Sequence, residues 1–270
     1  MGRGFALALS RGGHRVRLLA RRAGPVIASV PVEVRDWAPA MKGSGLLLIA
    51  TPDDAITGAA AALYATGALS PEHVVLHLSG LLDHSALAPL APTGAALGSF
   101  HPLQTVADPA TAPERLAGAY AAVEGDARAI QSAEGLADAL GMHVVRVPAG
   151  TKPAYHAGAA LVANATLALV GTAVRIAEEA GIPPELARRI YLPLLRGTLE
   201  NLEALGPAAA LTGPVRRGDL GTIRAHLAAL GPDDRELYRR LGLAALDLAR
   251  RAGLEPAAGD TIERFLLDED

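Results

Sequence analysis

Cysteine is absent from this sequence, which excludes disulfides, zinc–thiolate sites and a thiol nucleophile and fits a reducing compartment. Aromatic residues contribute only 3% against 50% hydrophobic residues overall, so a core has to be assembled from Ala, Leu and Val. An excess of one charge is lacking too. Twenty-five basic and 28 acidic residues leave a net charge of −3, without the basic surplus that a nucleic-acid partner demands. No apolar run reaches the roughly 20 residues of a membrane span. The longest, residues 157–174, is interrupted by Asn164 and by Thr and Gly positions, and reads as a buried helix. Arg11, His14, Arg15 and Arg17 follow the first apolar stretch instead of preceding it, the reverse of a signal peptide. No His, Asp and Glu set has metal-ligand spacing, and no G-x-S-x-G elbow marks a hydrolase. These absences predict a cytoplasmic globular protein that binds no metal, nucleic acid or membrane and acts on a small molecule.

What is present is an alternation. Within the first 150 of the 270 residues, short β-like runs occur at 15–20, 30–34, 45–52, 73–80, 96–102, 119–123 and 142–148. Several are continuous apolar stretches, as expected of strands covered on both faces. Helical patterns lie between them in FALALSRGG, DDAITGAAAALYATG and ARAIQSAEGLADALG. The pattern predicts an α/β domain with a mostly parallel, doubly wound sheet of the Rossmann type over residues 1–150. From Pro153 onward no strand is evident, and helices are expected at 153–180, 184–204, 220–230, 233–252 and 261–267. Residues 151–270 therefore form a second, all-helical domain.

The opening MGRGF precedes an apolar helical run and then a strand, the order found after the first strand of a dinucleotide-binding βαβ unit. In that register Gly2 is the last glycine of a G-x-G-x-x-G turn, and the first strand and the first two glycines would lie upstream. The strand at 15–20 ends in Arg21 and Arg22, where NAD enzymes carry an acid on the ribose; basic residues there favour the 2′-phosphate of NADP. Three further strands end in polar or small loops: Ala50-Thr51-Pro52-Asp53, His77-Leu78-Ser79-Gly80 and Ser99-Phe100-His101-Pro102-Leu103-Gln104. Polar loops along the carboxyl edge of one sheet mark a binding site. Ala50, Thr51, Pro52, Ser79 and Gly80 are its expected cofactor contacts. Asp53 or Asp54 serves as the cap of the following helix.

GSFHPLQTVADP, KPAYHAGAALVANATLALVG and GPAAALTGPVRRGDLGTIRAHL together resemble a bacterial family that joins a Rossmann-like domain to the domain of unknown function 2520. That family is similar to pyrroline-5-carboxylate reductase, prephenate dehydrogenase and the 6-phosphogluconate and β-hydroxyacid dehydrogenases. The resemblance implies an NADPH-dependent oxidoreductase acting on CH–OH or C=N, with a helical domain that forms a homodimer. Some members look like an alternative ketopantoate reductase, which implies a small keto acid as substrate. Members begin with a strand and G-A-G-x-x-G, from which this chain departs. The alternatives are a non-catalytic dinucleotide sensor or scaffold, or a truncated form with impaired cofactor binding.

Hydride transfer needs a group that protonates or polarises the developing charge. Lys152 and His156 are four residues apart on one helix face, and Asn164 lies two turns on, roughly 80° round from His156. With His101 from the sheet edge they form the candidate catalytic set at an interdomain cleft. His156 is the expected proton donor and Asn164 the orienting group, an arrangement that resembles the β-hydroxyacid dehydrogenases. Gln104, Thr212 and Arg216 are candidate substrate contacts, Arg216 as a clamp for a carboxylate. Arg217 and Asp219 can pair to hold their own loop. His14, His73, His84 and His226 read as surface or helix-edge residues.

Overall fold

The computed structural model describes residues 1–20, 32–33, 41 and 45–268, in two compact units, Met1–Asn164 and Ala165–Asp270. In the first, strands β3 (Leu46–Ile49), β4 (Val74–His77), β5 (Ala96–Leu103), β6 (Tyr120–Gly125) and β7 (His143–Arg146) form one sheet in sequence order. β1 (Leu18–Leu19) and β2 (Val32–Glu33) pair in parallel as a separate ribbon. Among the described residues β3 is bonded on one side only, to β4. Helices α1 (Gly2–Arg11), α2 (Asp53–Ala65), the short α3 (Ala112–Leu116) and α4 (Ala127–Ala139) accompany the strands. The architecture is Rossmann-like, with each expected strand represented.

Alternation at a period of two divides the core between the sheet faces. Val74, Leu76, Ala96 and Phe100 pack with Phe5 of α1 and Ala129, Ala133 and Leu136 of α4. Val75 and Leu97 face the other way, onto Ile56, Ala60 and Leu63 of α2 and onto Leu87 and Leu90 of a 3₁₀ stretch, His84–Thr93. One pairing departs from the all-parallel expectation: β5 and β6 are antiparallel. Their connection holds only the short α3 and a 3₁₀ turn, so the chain returns beside β5 without a full crossover. Gly125 makes the close approach possible. It sits at φ 129°, and a Cβ there would lie 2.4 Å from Leu97 O. Pro52, not Asp53 or Asp54, occupies the cap position of α2; both aspartates stand in the first turn, where they complement the helix dipole.

α5 (Lys152–Ala160) has Pro153 in its first turn and runs through a π-helical turn, Leu161–Ala165, into α6 (Thr166–Glu179). Gly181, at φ 87°, follows it. The second unit continues with α7 (Pro184–Ala210), kinked at Gly206, then α8 (Gly213–Arg217), α9 (Leu220–Ala229), α10 (Pro232–Arg251) and α11 (Pro256–Leu267). The expected loop around 211–219 thus holds a short helix, and Asp219 caps α9 by accepting from Thr222 N. The core of this unit is a single cluster of Val215, Ile223, Leu227, Leu246, Ala249, Ile262 and Leu266.

The helix expected to be buried at 157–174 is instead exposed within one chain. Leu161, Val162 and Leu167 are 68%, 77% and 72% exposed. By length and composition Lys152–Glu179 could cross a membrane. Its first residue, however, is fixed inside the sheet unit.

Candidate active site

At the carboxyl end of the sheet a row of polar side chains crosses three strands. His77 of β4 is in register with Ser99 of β5, and Ser99 with Glu124 of β6. Registered partners project to the same face, here the α2 face, continuing from Val75 and Leu97. All three are buried. His77 Nδ1 accepts from Ser79 N at 3.2 Å and its Nε2 donates to Asp83 O at 2.9 Å, so the ring is neutral with its proton on Nε2. Burial pushes its pKa down in agreement.

Lys152 enters this row from α5. Its side chain is 1% exposed, and Nζ donates to Ser79 O at 2.8 Å and Ser99 Oγ at 2.7 Å. Desolvation lowers its pKa to about 8. The sequence has two lysines, Lys42 and Lys152, among 25 basic residues. A chain that uses arginine almost throughout keeps at this buried position the one cation that can lose its proton.

One turn on, α5 brings two more groups to the same edge. Tyr155 Oη lies 3.2 Å from His101 Nδ1, and the rings of His101 and His156 meet edge-on with centroids 5.2 Å apart. Both imidazoles close on Gly80. A Cβ there would sit 2.4 Å from His156 Nδ1 and 2.7 Å from His101 Nε2, so any side chain at this position would push the two rings aside. Burial, reinforced by His156 and Lys152, drives His101 down to about 4, leaving a neutral ring near pH 7. Burial raises Tyr155 and keeps its hydroxyl protonated. His156 Nδ1 is buried without a hydrogen-bond partner among the described residues.

Beside this group, Gly2 at the start of α1 abuts the end of β3: a Cβ on Gly2 would fall 2.7 Å from Ala50 Cβ. Thr51 Oγ1, next in the chain, is buried and unpartnered among the described residues. A helix N-terminus against a strand end, with backbone close by and an unspent hydroxyl, suits a dinucleotide phosphate. Arg21 and Arg22 lie outside the described residues.

The other expected site residues are placed differently. Gln104 spends its amide locally, donating to Arg115 O and accepting from Thr105 N. Asn164 is exposed on the π-helical turn. Thr212 and Arg216 belong to the second unit, where Thr212 precedes α8 and Arg216 donates to Ala252 O at 3.0 Å. Arg217 and Asp219 approach to 3.8 Å, as a loop-holding pair would. Tyr155, Ser99, Glu124 and His77 were not singled out in the sequence as site residues. The signal that could have found them is the scarcity of lysine around Lys152 together with Tyr155 three residues on, one helical turn away.

Residues 119–245 match a family described as a domain of unknown function, DUF2520. The matched segment supplies Glu124, Lys152, Tyr155 and His156, whereas Gly80, Ser99 and His101 come from the strands and loops before it. No curated protein matches. Among solved structures, BF3122 of Bacteroides fragilis, provisionally named an NADP oxidoreductase, aligns with a TM-score of 0.67 at 19% identity, covering 89% of this chain and 93% of its own. TM1727 of Thermotoga maritima aligns with a TM-score of 0.63 at 24% identity, over 76% and 78% of the two chains. Plasmodium falciparum pyrroline carboxylate reductase with NADP bound gives 0.63 at 8% identity, over 98% and 94%. At these identities the likeness is one of fold.

Proposed function

We propose that this protein is an NADPH-dependent oxidoreductase that reduces the carbonyl of a small, ketopantoate-like keto acid. The observation that carries this reading is the convergence of His101, Tyr155 and His156 on Gly80, beside buried Lys152. These groups share the strand ends where open α/β sheets bind ligands. The names of the structural neighbours, among them pyrroline carboxylate reductases and an NADP oxidoreductase, support the reaction class.

Gly2, Ala50, Thr51, Ser79 and Gly80 would hold the dinucleotide, with Arg21 and Arg22 as the partners of a 2′-phosphate. The bound nicotinamide supplies hydride. His156, with a free ring nitrogen turned to Gly80, donates the proton to the oxygen that gains charge. Tyr155 donates its hydroxyl proton to His101 Nδ1, which leaves the ring proton on Nε2, the atom facing Gly80. His101 thereby orients the substrate oxygen as a neutral donor. Lys152 contributes a positive field without touching solvent.

The exposed leucines of α6 and α7 support a homodimer formed through the helical unit, and the lack of cysteine supports a reducing cytoplasm. NADPH oxidation followed over a panel of keto acids and cyclic imines tests the enzyme reading. Turnover of ketopantoate or a close analogue, lost in His156→Ala, is expected. Tight NADPH binding with no turnover on any member would make the protein a dinucleotide sensor instead.

A further inference from the structure

We propose that Glu124 is a positioning residue for the buried site: across the strand from Ser99, it supplies the counter-charge that keeps Lys152 an ammonium. The inference deepens the reductase reading and rests on it for its use, because a charged Lys152 is what sets a field beside His101 and His156.

Among the described residues Lys152 Nζ is bonded only to neutral oxygens, Ser79 O and Ser99 Oγ. Two such bonds do not offset the cost of removing an ammonium from water. The charge that opposes this cost most strongly is Glu124, ahead of Asp83 and Asp53. Register explains why. Glu124 is the direct antiparallel partner of Ser99, so its carboxylate leaves β6 on the face from which Nζ reaches Ser99.

Glu124 is 6% exposed, whereas Asp53 is exposed and Asp83 spends its carboxylate on Ser85 N and Oγ. The other groups of the row add no anion: His77 and His101 are held neutral. Glu124 Oε2 is anchored by His84 Nδ1 at 2.7 Å, from the start of the 3₁₀ stretch, while Oε1 is buried with no partner among the described residues. A buried carboxylate with an unspent oxygen is itself unstable without a nearby cation. Glu124 therefore faces two cations: His84 at the surface, 42% exposed and held more basic by this carboxylate, and Lys152 inside, which among the described residues has no other buried anion to offset its charge.

The two-lysine composition makes the test direct. Protein carrying ¹³C-labelled lysine shows two Cε resonances, and Lys152→Met identifies which belongs to Lys152. In the wild type that resonance titrates near pH 8. In Glu124→Gln, which keeps shape and removes charge, the midpoint falls by about one pH unit, a tenfold change in proton affinity. An unchanged midpoint overturns the proposal. If Glu124→Gln fails to fold, the double variant Glu124→Gln/Lys152→Met decides. Recovery of the fold shows that an unpaired lysine was the fault; continued failure shows that Glu124 serves packing, and overturns the proposal. NADPH turnover measured on the same wild-type sample judges the reductase reading separately, since the titration needs no activity.

Discussion

In the sheet unit both faces of β4 are covered, Val74 and Leu76 on one side and Val75 on the other. In the helical unit α7 buries Ala187 alone among its apolar residues and leaves Leu194, Leu199 and Leu205 exposed. The first unit closes its own core and has burial to spare for a charged lysine, a glutamate, a serine and a histidine. The second closes a core around α9, α10 and α11 but leaves the outer faces of α6 and α7 without cover. That face is the one the proposed homodimer would cover. Site and surface thus use burial oppositely: one holds polar groups away from water, the other holds apolar groups out toward it.

The largest expected effect breaks the site half of that comparison. His156→Ala removes the proposed proton donor and lowers kcat by about 10²–10⁴-fold, with the circular dichroism spectrum unchanged. Gly80→Ala reaches a similar loss by another route. Its methyl group would collide with both imidazoles, and a displacement of about 1 Å at a reacting centre costs roughly 10²-fold. If Gly80→Ala raises only KM, the two histidines bind substrate without acting on it.

The parts of this comparison were not equally legible in the sequence. All seven strands could be read because central strands are continuous apolar runs, and that signal is local. The carboxyl-edge loops could be read for the same reason. The polar row could not: His77, Ser99 and Glu124 belong to one cluster only through register, a relation across strands that no window along the chain contains. Glu124 in particular sits on a strand whose antiparallel direction followed from a short connection and not from its own composition. Helix 157–174 was misread because apolar content predicts burial without saying whether this chain or another provides it. Lys152 was read as a helix-face residue of the cleft, and its near-complete burial was invisible until Ser79 and Ser99 were placed around it.

The next effect compares leucines. Leu76→Ala, at a site with no exposure, creates a cavity and costs about 2–5 kcal/mol in denaturant unfolding. Leu194→Ala, at a site 66% exposed, changes the stability of dilute protein by no more than about 0.5 kcal/mol. The two should separate in the opposite sense by sedimentation. Leu194→Glu combined with Leu205→Glu weakens self-association at least about tenfold, while Leu76→Ala leaves it alone. Equal association by the charged variant would mean that some other surface joins the copies.

The remaining effect is a pH slope confined to the sheet unit. His101 titrates near 4 in the folded chain and near 6.5 when unfolded, so between those values the unfolded chain binds a proton that the folded one refuses. Stability therefore falls as pH drops from 6.5 to 4 and is flat below, where both states are protonated. Lys152 gives a second window by the same rule. Its folded value near 8 against 10.5 unfolded makes stability rise with pH across that interval. His101→Asn should reduce the acid slope and leave the alkaline one intact, read as thermal midpoints across buffers of equal ionic strength; the remainder belongs to His77, which burial also pushes down. An acid slope unchanged in His101→Asn would assign the whole of it to His77.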